Sequence, residues 1–275
     1  MNLDTIEINN LTLIQITLIA LAILIYGFSK GGGGALSTAA VPIMSLAIPP
    51  SRAAAIMLPL LITLDVLTLL SFRGTFDRKQ LRLLFPPAIV GMTIAAFVRS
   101  YLSDNGLRIL VGIICFFFII LKMKPVINSL NIVQNISTNN STNQRVISVL
   151  PIPSPNNIAR FWGSLAGFTS TLIHAGSPPI MIHLMSLQLE PRLLAGTQAW
   201  FLASLNLAKV TPFILSNQLD LSVLKVSLFF MPITPIGIWL GQRFLKKLSP
   251  NTIYNVFAFS IGLSGILMLW RGFTG

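Results

Sequence analysis

Residues 27–42 read GFSKGGGGALSTAAVP, four consecutive glycines set inside an otherwise apolar run. Each glycine is about 1 kcal/mol less favourable than alanine in a helix interior, so four together cannot hold a stable helix. Leu11–Phe28 on the upstream side is long enough to enter a bilayer. Ala35–Ile48 on the downstream side is too short to cross one, which takes about 20 apolar residues. Such a pattern predicts a discontinuous segment whose tip lies inside the membrane. In lipid, unwound backbone is tolerated only where it is buried in protein or lines a cavity.

Composition points the same way. Of the 275 residues, 53% are hydrophobic and 9% charged. A soluble domain carries roughly 25% charged residues to face water, so most of this surface must face lipid. The net charge of +12 would suggest nucleic acid in a soluble chain. Here the basic residues sit in short loops between apolar runs, where they orient a membrane protein, and no nucleic-acid partner is expected. The single cysteine, Cys115, excludes a disulfide framework and is expected to face lipid or pack in the core. The acidic start MNLDTIEINN and the lack of an A-x-A site argue against a cleaved signal peptide.

Ten apolar segments can be marked: Leu11–Phe28, Ala35–Ile48, Ala53–Phe72, Leu81–Val98, Leu107–Leu121, Ile158–Ile173, Ile180–Leu189, Leu193–Leu215, Leu221–Leu245 and Ile253–Trp270. An Asn/Ser/Thr/Pro-rich stretch, 125–157, separates a first membrane repeat (1–124) from a second (158–275) and reads as a polar flexible linker. The halves resemble each other. Gly27-Phe28-Ser29 matches Gly167-Phe168-Thr169, and a short segment follows a break in both. Pro86 stands five residues before Gly91, as Pro232 does before Gly237.

Five segments per half is an odd number, so the second half is expected to enter the membrane upside down. With the loop Arg73–Arg82 placed inside, alternation puts Arg73, Arg78, Lys79, Arg82, Lys122, Lys124, Arg145, Arg160, Arg192, Arg243, Lys246 and Lys247 inside. Only Arg52, Arg99, Arg108 and Arg271 fall outside, and Lys30, Lys209 and Lys225 lie at membrane depth. This bias supports an inverted repeat with the N- and C-termini outside, in the cell membrane (the cytoplasmic, or inner, membrane). The expected fold is therefore all-α integral membrane, two five-segment inverted-topology repeats with broken, glycine-interrupted helices.

Both breaks carry groups suited to a small oxyanion. A helix restarting near Ala35 would present free backbone N–H groups and a positive dipole end. Around them stand Ser29, Lys30, Gly31, Gly32, Gly33, Gly34, Ser37 and Thr38. The alternative is close helix packing through glycine, which explains one or two glycines better than four. The run is not a phosphate-binding P-loop, because the lysine precedes the glycines and no GK[ST] follows. The second break, GFTSTLIHAGSPPIMIH at 167–183, supplies Thr169, Ser170, His174, Gly176, Ser177 and Pro178. Pro178 and Pro179 suit a first helical turn. His174 reads equally as a ligand-facing donor or a satisfied interior histidine, and His183 reads as structural. By the repeat, the two loops approach one central site.

Ionisable groups inside membrane segments are expensive and hence candidates for function. Asp65 lies in LPLLITLDVLTLL, and Lys209 lies in SLNLAKVTP three residues after Asn206. They read either as a structural ion pair or as an ion-coupling Asp65 beside an anion-attracting Lys209. Lys225 reads as a snorkelling side chain. Two histidines, seven carboxylates and one cysteine offer no HExxH, no GxSxG and no metal-ligand cluster. Neither an enzyme nor a cofactor or metal site is expected.

These motifs resemble the TauE/SafE family, the sulfite exporter family of anion transporters. The resemblance rests on GFSKGGGG with its short segment to VP, LPLL…D at 58–65, GFTSTLIHAGSPP, GTQAWFLASLNLAKVTP at 196–212 and the paired Pro-x4-Gly stretches. It covers nearly the whole chain outside the linker. It implies an inverted-repeat transporter of a small anion such as sulfite, a sulfonate or a related organic anion, with glycine-rich loops at a central site. One departure is Gly176-Ser177-Pro178, where the family usually has Gly-Gly-Pro. The expected partners are the small anion, a coupling H+ or Na+ and the lipid bilayer, with a homodimer open as an assembly. The rival readings are a passive anion channel and a membrane-embedded enzyme or accessory protein.

Overall fold

The structure, a computed structural model, describes residues 11–32, 37, 39–123, 155–244 and 250–274. Among the described residues every regular element is a helix. The first half gives α1 (Leu13–Gly32), α2 (Ala40–Met44), α3 (Pro50–Ser71), α4 (Arg78–Tyr101) and α5 (Asp104–Met123). The second gives α6 (Pro155–Ile173), α7 (Ser177–Ser186), α8 (Pro191–Leu215), α9 (Leu221–Phe230), α10 (Ile233–Phe244) and α11 (Pro250–Thr274). The expected linker lies outside the described residues as far as 154.

Among the described residues three helices are long and apolar enough to cross a membrane, Leu13–Gly31, Pro50–Leu70 and Arg78–Tyr101. The bent pair Leu221–Phe230 and Ile233–Arg243 makes a fourth if it counts as one span. Large apolar residues stand exposed along the outer faces, among them Val90, Ile94, Phe97, Trp239, Phe259, Ile266 and Trp270. In water such surface would drive association; in a bilayer it is the lipid-facing coat.

The halves interlock. The most extensive packing pairs α1 with α10, α4 with α6, and α5 with α11, while α3 and α8 meet at the centre. Glycine decides how closely two of these pairs approach. A methyl added at Gly167 would lie 1.9 Å from the Ala88 carbonyl oxygen, so α6 and α4 touch backbone to backbone. On the other side Gly27 meets Gly237, with an added methyl 3.0 Å from the Gly237 Cα. The residues that match between the halves in sequence are thus those at the two crossings.

Two expectations need correction. The segment Leu221–Leu245 is not one helix, because α9 and α10 meet at a 44° bend beside Met231-Pro232. Proline lacks the N–H and its ring clashes with the preceding turn. Among the described residues the short segment Ala35–Ile48 gives the short α-helix Ala40–Met44, with 3-10 geometry at Ser37 and Ala39 before it and turns to Ile48 after it. The glycines before it and Pro49-Pro50 after it leave little chain able to hold helix, since a residue before proline avoids the α region. The second short helix is longer, Ser177–Ser186, with Pro178 and Pro179 in its first turn.

α3 is the most buried of the three long apolar helices. Ala53–Leu58, Leu60, Leu61 and Leu64 are wholly buried. α8 packs beside it and runs antiparallel.

Candidate functional site: a polar path between two cavities

Asp65 lies on α3 one residue past that apolar run and is 4% exposed. Lys30, at the end of α1, places Nζ 2.5 Å from its Oδ1, and Asn206 on α8 donates to its Oδ2 at 2.6 Å. Asp65 is therefore held by a cation from the first break and an amide from the second half. Of the two readings of Asp65 and Lys209, the direct ion pair is not formed, since Asp65 pairs with Lys30.

Lys209 is wholly buried. Its Nζ lies 3.0 Å from the Ser170 Oγ, 3.1 Å from the Ser170 carbonyl oxygen and 2.8 Å from the His174 Nδ1. An ammonium can only donate, so Nδ1 accepts. The Nε2–H of His174 then donates to the Ala54 carbonyl at 2.9 Å, which fixes the neutral tautomer. Both ring nitrogens are engaged, which favours the interior reading of His174. His174 ends α6 in the left-handed region (φ 53°), and Ala175 N–H closes back on the Thr169 carbonyl at 3.3 Å. Glycine is the usual residue in that conformation, and here the two ring contacts of His174 hold it.

The remaining residues frame these two clusters. Ser29 Oγ accepts from the Ser37 N–H at 2.9 Å, and both are buried. Thr169 Oγ1 donates to the Leu165 carbonyl at 2.9 Å and lies 2.9 Å from that of Ala175. Gly176 precedes α7, and a methyl there would meet the Ser170 Cβ at 2.9 Å. Ser177 Oγ accepts from Gln198 at 2.5 Å. At Gly31 a methyl would lie 2.3 Å from the Ile238 carbonyl, so this glycine serves helix contact as well as the cavity wall. Gly32 is the last residue of α1. Gly33, Gly34 and Thr38 lie outside the described residues. His183 Nε2 is 3.1 Å from Gln80 Oε1, Cys115 is buried, and Lys225 is exposed.

Two cavities flank this centre. One, of about 200 Å³, is lined by Tyr26, Lys30, Ser37, Thr68, Ser177 and Gln198 among others, and so joins residues of both breaks. The other, of about 440 Å³, is lined by Ser51, Arg99, Asp104, Thr171, Phe213 and Gln218 among others. The first touches the end of α3 and the start of α8; the second touches the start of α3 and the end of α8. Ser51 and Thr68 are 17 residues apart on α3, which at 1.5 Å per residue separates the two openings by about 25 Å.

A single stripe on α8 connects them. Gln198 and Leu202 line the first cavity, Asn206 holds Asp65, Lys209 holds His174, and Phe213 and Ser216 line the second. Their spacing of three and four is that of one helix face. Sequence reasoning singled out Asn206 and Lys209 and missed Gln198, although a polar residue eight positions earlier on the same face was the available signal. It also counted Arg99, which lines the second cavity, among the outside loop charges. In the structure Arg99 is only 8% exposed near the end of α4. Among the described residues no group of three His, Cys, Asp or Glu side chains comes together to hold a metal.

A multi-pass helical membrane protein with a buried charged centre between two cavities is the class that fold and site define. The family model described as Sulfite exporter TauE/SafE matches residues 19–268. The chain belongs to the TauE/SafE family, a family of membrane transporters. No curated protein and no solved structure matches it.

Proposed function

We propose that this protein is a secondary transporter that carries a small anion such as sulfite, a sulfonate or a related organic anion across the cell membrane by alternating access. The observation that carries the reading is a charge imbalance at the centre. Lys30 and Asp65 neutralise each other, whereas Lys209 is wholly buried and has no carboxylate within ion-pair distance among the described residues. A buried charge is tolerated when it is paired. A small anion beside Lys209, Ser170 and the start of α7 would supply the missing charge. The Lys30–Asp65–Asn206 cluster is the proposed coupling element, with Asp65 exchanging a proton or meeting Na+.

The pairings α1 with α10, α4 with α6 and α5 with α11 support an inverted repeat, because a two-fold axis that exchanges the halves turns the contact of the first segment with the other half's fourth into that of the fourth with the first, and maps the contact between the two fifth segments onto itself. The loop charges support termini outside. The polar stripe on α8 supports a path for the anion, since it reaches a cavity at each end.

The test is anion flux into proteoliposomes of the purified protein, with and without an imposed pH or Na+ gradient. The expected result is uptake driven by one of these gradients and abolished in Asp65→Asn. Flux indifferent to both gradients would replace the carrier with a passive channel. Absence of flux, with every anion tried, would remove transport.

A further inference from the structure

Of the four buried polar atoms without a hydrogen-bond partner among the described residues, two belong to residues of one cavity: Arg99 Nη1 and Gln218 Oε1. Each orphaned buried polar atom costs about 1–3 kcal/mol, so such atoms need an explanation. The guanidinium of Arg99 is otherwise anchored. Its Nη2 donates to the Ser51 carbonyl at 2.7 Å, and its Cζ lies over the Phe213 ring at 5.0 Å. The nearest acidic group of the cavity, Asp104, forms no ion pair with it and accepts from the Ser51 hydroxyl at 3.0 Å instead. One fork of a buried, fixed cation is thus left without a partner in the wall of a cavity large enough for a small molecule.

We infer that this cavity is a second anion site, at the opposite end of α3 and α8 from Lys30, and that it favours a small oxyanion carrying a hydrogen-bond donor of its own. Arg99 Nη1 donates to an anionic oxygen, and Gln218 Oε1 accepts from a hydroxyl or other donor on the same molecule. The hydroxyls of Thr171 and Ser216 add polar wall, each already donating to its own helix, at Gly167 and Pro212. Phe213 stands between Arg99 and the centre, with its ring centroid 6.4 Å from that of His174. An anion held at Arg99 is therefore one aromatic ring away from the His174–Lys209 cluster. This site rests on the transport reading and deepens it, as the vestibule from which the central site fills or into which it empties.

A labelling experiment reads the site without relying on flux. Cys115 is the only cysteine, so Cys115→Ser with Ala96→Cys puts a single thiol in this cavity, one helical turn from Arg99. Cys115→Ser with Thr68→Cys puts one in the other cavity. Each purified protein is reacted with N-ethylmaleimide alone, with glycolate and with acetate, two monovalent carboxylates that differ by a hydroxyl. Glycolate should slow labelling at Ala96→Cys more than acetate does. Adding Arg99→Gln should weaken that protection about tenfold, in line with loss of one charge-assisted hydrogen bond, while Arg99→Lys keeps part of it.

Protection at Thr68→Cys but not at Ala96→Cys would overturn this site and leave the transport proposal standing. Protection at neither position would overturn the site, and absence of flux in the same protein would remove transport as well. Equal protection by glycolate and acetate would overturn the donor preference. Should Arg99→Gln fail to insert, the glycolate and acetate rates on the parental Ala96→Cys protein decide the matter.

Discussion

The two breaks treat their buried lysines differently. At the first, Lys30 meets Asp65 from its own half, and Asn206 completes the carboxylate's contacts from the other. At the second, Lys209 meets only a hydroxyl, a carbonyl and a neutral imidazole. The loops are matched in sequence, yet one centre is closed in charge and the other is open. Under the transport proposal this difference divides the work of a carrier, Asp65 serving coupling in one cluster and Lys209 meeting the anion in the other.

The difference can be broken from either side. Lys30→Met leaves Asp65 buried without its cation and should destabilise the protein by about 3–5 kcal/mol, the usual effect of removing one partner of a buried ion pair. Adding Asp65→Leu should recover most of that, because replacing both partners with apolar groups is close to neutral. Thermal unfolding in detergent reads both changes. If the single and double variants unfold together, Lys30 and Asp65 are not a matched pair.

The crossings give a smaller effect that compares the halves. Gly167→Ala drives a methyl onto the Ala88 carbonyl, where only backbone can yield, and should destabilise by about 1–3 kcal/mol. Gly27→Ala meets Gly237 at 3.0 Å and should be the milder of the two. Equal unfolding temperatures for these two variants would mean that the crossings are equally tight.

The smallest effect is at the Arg52–Asp220 contact, which ties the start of α3 to the start of α9 at 2.5 Å. Burial alone raises the Asp220 carboxyl, but hydrogen bonds from Ser222, the Val223 N–H and Arg52 outweigh it and hold the group below its usual range. A depressed carboxylate stabilises the fold above its unfolded value of about 3.9 and loses that contribution as pH falls through the lower folded value. Asp220→Asn should therefore unfold slightly earlier than the parent at neutral pH, by about 0.2–1 kcal/mol for a partly exposed pair near the surface. At pH well below the folded value the two should coincide.

Much of this was legible in the chain. Apolar length and scarcity of charge announce a membrane protein, and Pro178-Pro179 set the start of α7. The bend at Pro232 was not legible, because Pro86 and Pro87 sit in α4 without ending it; neighbouring packing, not the residue, decides which proline breaks a helix. At the site, Lys30, Asp65, Asn206, Lys209 and His174 stand out as polar groups in apolar runs, and the structure brings all five to one centre. Their partners were not legible. Lys30 and Asp65 are 35 residues apart and Asn206 and Asp65 are 141 apart, so only the crossing of α1, α3 and α8 tells which cation faces the carboxylate.

The central claim is that Lys209 awaits an anion, and binding to Lys209→Met tests it most directly. Lys209→Met removes a buried charge but also takes the donor from Ser170 and from His174 Nδ1, so each protein's own unfolding temperature without anion is the baseline. The measurement is the unfolding temperature of purified parent and variant across a sulfite titration, repeated with a sulfonate and a carboxylate. A ligand that binds only the folded state adds about 2.7 kcal/mol at a hundredfold excess over its Kd. The account predicts a clearly larger rise with at least one of these anions in the parent than in Lys209→Met, where only the Arg99 cavity is left to bind. An equal rise in both proteins would contradict it.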